Sequence, residues 1–290
     1  MRILFAGDEH PYSEYAIRET VKLAANTLAD VTLLGVHSAS SVRRVTDPAA
    51  LEVAQAFQRY RDLFLGSWHS GESPYGVPAG GHEWKGLKSG SWEEVGSVSG
   101  GRKDFKVRLR VGKARSEILA EAEKDQSDLI VLGCTKGESC VWEGARPVPQ
   151  HIVNDADCSV LLVKQEQPVT QIRACFDQGY ISQESMEMIS QMVTIHSAKL
   201  ELIGLSENGS INVDAFSRLF ELGEYYSERD IRVTTRLTEV NEFESIISGD
   251  LNESLLAIWA GKRSLIHKFF PPDWIGRFVS KCQSSVLVMR

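Results

Sequence analysis

The sequence has no apolar run approaching the roughly 20 residues that a membrane-crossing helix needs, so no span is expected. Cysteine is scarce: five in 290 residues, at 134, 140, 158, 175 and 282, odd in number and scattered. Such usage predicts reduced thiols in place of a disulfide framework. No CxxC pair or clustered Cys/His set occurs, which argues against structural zinc and leaves no metal ligands to nominate. Long basic runs are missing and the net charge is -7, a balance that repels a polyanion and excludes nucleic acid as main partner. G-x-S-x-G is absent, and His37 and His151 have no evident nucleophile partner. No catalytic residue is assigned, and the protein is expected not to be an enzyme. The opening "MRILFAGD" reaches an aspartate too early for a signal peptide, so a cytoplasmic location is expected.

What remains is an ordinary globular composition, 42% hydrophobic and 24% charged, in a chain long enough for two domains. Ile3 to Ala6 is a short apolar run closed by Gly7-Asp8, the pattern of a strand covered on both faces. Ile17, Val21, Ala24, Ala25 and Leu28 then recur at helical spacing, with Glu14, Arg18 and Lys22 facing water and Ser13 placed as a helix cap. Val31 to Val36 is a second buried strand. Phe105 to Val111, a helix from Ser116 with Ile118, Leu119 and Ala122 inward, Asp128 to Gly133, a helix around Gln150 to Asn154, and Cys158 to Lys164 complete five strands alternating with helices. That alternation predicts an open, doubly wound α/β domain.

The pattern then repeats. Sliding residues 172–207 back by 169 places Asp177 on Asp8, Ser182 on Ser13 and Gly204 on Gly35. "LLAIWAG" ends at Gly261 as "DLIVLG" ends at Gly133, 128 residues apart, and "SVLVMR" closes the chain as "SVLLVK" closes its first half. The shrinking offset leaves the second copy about 41 residues shorter in its middle. The first copy carries a matching excess at 66–104, with ten of the 23 glycines and Trp68, Trp84 and Trp92. Three large aromatics in a long loop predict a packed excursion, a lid or an interface element, over a flexible linker. The expected domains are 1–165, with this insertion, and 170–290.

Asp8 with the run "DEHPYSEYAI", Val36 after the second strand, "VGKARSEILAEAEKDQSDLIVLG" and the closing "CSVLLVK" resemble the universal stress protein domain, in its tandem form. The resemblance implies two open five-stranded parallel sheets of the adenine nucleotide alpha hydrolase type, paired through their last strands about a pseudo-twofold axis. Two chains can associate further into a homodimer. It also assigns Asp8, Val36, Leu132 and Gly133 to the adenosine side of a pocket, and Lys136, Gly137, Arg146 and Val148 to its phosphate side.

The family's nucleotide-binding branch runs from its fourth strand into G-x2-G-x9-G-[ST]. Glycines there let backbone amides approach phosphate oxygens, and the next helix offers its positive end. Counted from Gly133, those positions hold Lys136, Arg146 and Pro147, while Gly137 and Gly144 stand out of register. Pro147 supplies neither hydroxyl nor amide hydrogen. The loop is degenerate, and ATP is not expected to bind in the family's usual way. In the second copy, Lys262, Arg263, His267 and Lys268 form a basic loop, read as a solvated surface. Asp8, between strand and helix, also suits a local turn or cap. Cys134 and Cys140, with five residues between them, are not a dithiol spacing and read as structural. With that loop, the resemblance implies a stress-response or regulatory binding protein with a small-molecule ligand or a protein partner. An adenine-nucleotide binder and a pure interaction scaffold are the alternatives.

Overall fold

Ile3 to Ala6 forms a strand because it finds cover on both sides: four consecutive side chains are at most 1% exposed. In the computed structural model this is the centre of a half-sheet, and the same logic of continuous apolar runs builds the other inner strands. The structure describes residues 1–38, 48–69, 72–78, 81–87, 91–96, 98–135, 142, 147–164, 168–176, 181–206, 213–243, 253–260, 271 and 273–290.

The first half runs β1 (Arg2–Gly7), α1 (Pro11–Thr27), β2 (Asp30–His37) and α2 (Glu52–Gly66). Four short strands follow: β3 (Gly76–Pro78), β4 (Glu83–Gly86), β5 (Trp92–Val95) and β6 (Val98–Gly100). Then come β7 (Phe105–Val111), α3 (Ala114–Asp125), β8 (Leu129–Gly133), α4 (Val148–Asp155) and β9 (Ser159–Val163). The second half is β10 (Gln171–Phe176), α5 (Gln183–His196), β11 (Lys199–Ser206), α6 (Val213–Ser227), β12 (Val233–Glu239), β13 (Ser254–Trp259), α7 (Trp274–Lys281) and β14 (Ser285–Met289). Strands are ordered β7-β2-β1-β8-β9 in one half and β12-β11-β10-β13-β14 in the other. Each set is parallel within itself. The doubly wound α/β fold is therefore present twice.

β9 and β14 join the halves antiparallel, with Leu161 opposite Leu287. One apolar layer takes Ile17 of α1, Phe57 of α2, Ile189 of α5 and Leu219 of α6; the other takes Ile118 of α3, Ile152 of α4 and Val279 of α7. Across the pseudo-twofold axis the halves exchange polar contacts. Lys164 N donates to Ser285 Oγ (3.1 Å) and Arg290 N to Ser159 Oγ (3.4 Å). The Lys164 ammonium donates to the carbonyls of Val279 (2.5 Å) and Cys282 (2.6 Å) at the end of α7, and the Arg290 guanidinium reaches those of Val153 and Asn154 at the end of α4. Each half's last basic residue thus caps the other's last helix. At that helix crossing a Cβ on Gly276 would stand 2.7 Å from Gln150 O, so only glycine fits.

Several local expectations change. Along α1, Ile17 and Ala24 are buried and Val21 half-buried, but Ala25 is exposed and Leu28, the left-handed C-cap, is 50% exposed. Tyr12, Ala16, Thr20 and Leu23 take the inner stripe instead, because the helix starts at Pro11 and ends before Leu28. Ser13 consequently lies inside the first turn and does not cap it. Leu119 of α3 is only half-buried. Cys134 is disulfide-bonded, whereas Cys158, Cys175 and Cys282 are free thiols. Sequence spacing does not fix the distance between sulfurs; the fold does.

The 66–104 segment packs where it is described. β5 adds antiparallel to the free side of β7, pairing Trp92 with Leu109 and Glu93 with Arg108, and β4 pairs with β5. Among the described residues twelve strands form one sheet. Trp68 and Tyr75 contact Phe64, whose ring stacks on Phe105 at 4.8 Å. Glu93 receives a hydrogen bond from Arg108 (2.7 Å), and Glu94 forms a buried pair with Arg61. Tyr75 is buried and the three tryptophans are half-buried against the core, which takes much of their apolar area out of water.

Candidate functional site

The strand order reverses between β2, β1 and β8, and in open α/β sheets ligands collect beyond the carboxyl ends of strands at such a point. Parallel register brings Asp8, Val36, Leu132 and Gly133 to that crevice: Gly7 sits opposite Gly35, and Ala6 opposite Leu132. Val36 is half-buried, Leu132 and Gly133 buried. Val148 opens α4 at 6% exposure. Lys136, Gly137, Gly144 and Arg146 lie outside the described residues, as do Cys140, Asp177, Gly261 and the 262–268 basic loop.

The Asp8 carboxylate is occupied by its own chain. Oδ1 accepts from the His10 amide (3.1 Å) and the Ser13 hydroxyl (2.7 Å), and Oδ2 accepts a short bond from the Tyr12 phenol. The Asp8 amide donates back to Ser13 Oγ (3.1 Å), and the Tyr60 hydroxyl donates to the Asp8 carbonyl (2.8 Å). Burial, and after it the Asp8 charge, push the Tyr60 phenol above its ordinary range, so it stays protonated and donating. The arrangement is a side-chain turn that ties strand to helix.

Gly133 has an equally local reason to be glycine. A Cβ there would lie 2.2 Å from the carbonyl oxygen of Tyr12, since the first turn of α1 rests directly on the end of β8. Above it, the buried Trp142 indole donates to the Gly133 carbonyl at 2.9 Å. Sequence reasoning passed over this residue; a lone tryptophan within a glycine-bearing loop was the available signal. Burial pushes the Cys158 and Cys282 thiols each up to about 11, which keeps both from acting as thiolates near neutrality. Among the described residues no cluster of three or more metal-ligating side chains occurs, and no helix is long and apolar enough to cross a membrane.

The second half does not repeat the glycine at the sequence offset of 128. Pairing of β13 with β14 and β10 sets the true equivalence at Gly133 and Trp259, because Gly133 lies opposite Val163 and Trp259 opposite Met289. A tryptophan, 7% exposed, fills the strand end where the first half needs hydrogen.

Comparison with solved structures places the fold among known ones. A universal stress protein from Archaeoglobus fulgidus DSM 4304 superimposes with a TM-score of 0.58 at 11% identity, covering 99% of this chain and 96% of that one. A functionally unknown protein from Pseudomonas aeruginosa PAO1 gives 0.56 at 14% identity, covering 100% and 92%. The cytoplasmic domain of a prokaryotic cation chloride cotransporter gives 0.56 at 11% identity, covering 99% and 94%. At such identities the likeness is one of fold. No match was found among curated proteins. The Universal stress protein family model matches residues 1–164, more than half of the chain. With the strand order and crevice that go with that match, this chain belongs to the universal stress protein family.

Proposed function

We propose that the chain is a cytoplasmic, non-enzymatic regulatory protein of the stress-response type, built from two universal-stress domains at 1–165 and 170–290. It binds a small ligand or a protein partner and does not hold ATP in the family's usual way. The observation that carries this reading is the engagement of Asp8 by its own chain: His10, Tyr12 and Ser13 donate three hydrogen bonds to the carboxylate that a nucleotide would need. A buried tryptophan on the Gly133 carbonyl supports it, as does Pro147, which gives α4 an N-cap with no side-chain bond. A phosphate approaching there meets a residue without an amide hydrogen.

Equilibrium dialysis with ATP is the test. The expected result is no stoichiometric binding in the micromolar range, unchanged in Asp8→Ala. Stoichiometric micromolar binding that Asp8→Ala abolishes would establish the nucleotide-binding alternative through Asp8, Val36, Leu132 and Gly133, with Lys136, Gly137, Arg146 and Val148 on the phosphate side.

A further inference from the structure

The two halves differ most at their outer edges. In the first, β5 covers β7. In the second, β12 is the equivalent strand and ends the sheet, with no described strand beyond it. Register makes the equivalence residue by residue: Val31 lies opposite Phe105 as Leu200 lies opposite Val233, so Arg108 matches Arg236 and Leu109 matches Leu237. Arg108 and Leu109 are the residues β5 covers, with Glu93 and Trp92 respectively. Arg236 is exposed, together with Thr234 and Thr235.

Among the described residues no strand pairs with this edge. Leu200 N donates to the Arg232 carbonyl, so even-numbered residues of β12 aim their backbone groups at β11. Val233, Thr235 and Leu237 aim theirs outward. Beside them runs a groove of about 270 Å³ between α6 and β12, lined by Phe216, Phe220, Gly223 and Thr235. Phe216 and Phe220 are 57% and 59% exposed, an apolar pair that solvent alone does not explain. A Cβ on Gly223 would meet nothing nearer than Thr235 Cγ2 at 3.7 Å, so the groove floor is open.

We propose that β12 and α6 form a docking edge for an extended strand of a partner protein, one that carries an aromatic residue followed by a glutamate. The strand adds antiparallel to β12, lays the aromatic side chain between Phe216 and Phe220, and sets the carboxylate on Arg236. The chemistry is that of Trp92-Glu93 on Leu109-Arg108: an aromatic on the helix-side face, an acid on the opposite one, main-chain bonds between. Positive Arg236 on an otherwise acidic protein supplies the charge complementarity, and exposed strand edges are templates for such addition.

The probe is a synthetic peptide of this chain's own residues 81–96, titrated into the full-length protein. Binding in the micromolar range is expected, weakening about tenfold or more in Arg236→Glu or when the peptide carries Glu93→Lys. Thr235→Pro removes an outward amide that β11 does not use, so the fold persists and binding is lost. Phe220→Lys provides an independent variant at an exposed position, with the same expected loss. Binding indifferent to all four changes, or none at all, overturns the proposal. So does concentration-dependent self-association in sedimentation equilibrium that Thr235→Pro abolishes, since a second copy of the chain would then own the edge.

Discussion

At the end of β8 stands Gly133; at the end of its twin, β13, stands Trp259. The exchange is not free substitution at a tolerant site. α1 begins at Pro11 and lays its first turn against β8, which leaves no space for a Cβ. α5 begins at Gln183, the counterpart of Glu14, so the corresponding turn is not part of the helix and a tryptophan occupies the strand end. One duplicated frame has thus solved the same packing problem twice, by helix length in one half and by side-chain volume in the other. Neither solution depends on a nucleotide, which is why a surviving glycine is weak evidence for a phosphate loop.

Removing the larger side chain is the strongest way to break this comparison. Trp259→Ala should cost about 3–5 kcal/mol, the range for emptying a large aromatic site in a core that collapses only partly. The counterpart, Gly133→Ala, should cost about 1–3 kcal/mol through overpacking, as α1 is forced off the sheet. Urea unfolding of both variants checks the pair. If Gly133→Ala proves neutral, the glycine is not there for packing and a ligand role regains its claim.

The helix caps at the twofold axis sharpen the comparison further. Lys164 and Arg290 do the same task, yet only Lys164 can lose its proton near neutrality. Burial pulls its ammonium from the ordinary lysine value down to about 8. Between that value and 10.5 the unfolded chain binds more protons than the folded one, so this residue's contribution to stability rises with pH across the window. At pH 7 Lys164→Met removes the carbonyl hydrogen bonds together with the cost of burying the ammonium, so its net effect there should be small, on the order of 1 kcal/mol. The pH-stability difference between wild type and variant should carry the lysine's slope above pH 8. A flat difference curve would mean that the Val279 and Cys282 carbonyl contacts hold the proton through the window.

The inner strands of both half-sheets were legible, because apolar runs such as Ile3 to Ala6 and Leu129 to Gly133 find cover on both faces; the edge strand β12 was not. The duplication followed from matching segments, and the β9–β14 joint from the resemblance to tandem universal stress proteins. What sequence could not supply were choices made by tertiary packing. Two copies of one motif with slightly different spacing concealed that Trp259, not Gly261, takes the place of Gly133. The helix start at Pro11, two residues ahead of the serine expected to cap it, brings Tyr12 and Ser13 onto the Asp8 carboxylate and favours the local-turn reading that the position of Asp8 also suited. Trp142 stood out only as a lone tryptophan in a glycine-bearing loop, and nothing local says that its indole will fold back to a strand-end carbonyl. The β4–β5 hairpin was foreshadowed only as excess aromatics.

The smallest effect separates the two aligned serines. Ser182 is the true cap of α5: its hydroxyl oxygen accepts from the Ser185 amide at 3.2 Å. Ser13 spends the same hydroxyl on Asp8 inside a helix already begun. Ser182→Ala should therefore cost about 1 kcal/mol, the usual worth of an N-cap, and leave the first half untouched. Ser13→Ala should act on Asp8 instead, freeing one carboxylate oxygen from its hydroxyl donor and loosening the β1–α1 turn. Amide exchange resolves the two outcomes, with protection lost at the first turn of α5 in one variant and around Asp8 to Tyr12 in the other. If both serines produced the same fraying at their own helix starts, α1 and α5 would begin alike, and the physical reason given for Gly133 and Trp259 would fail with them.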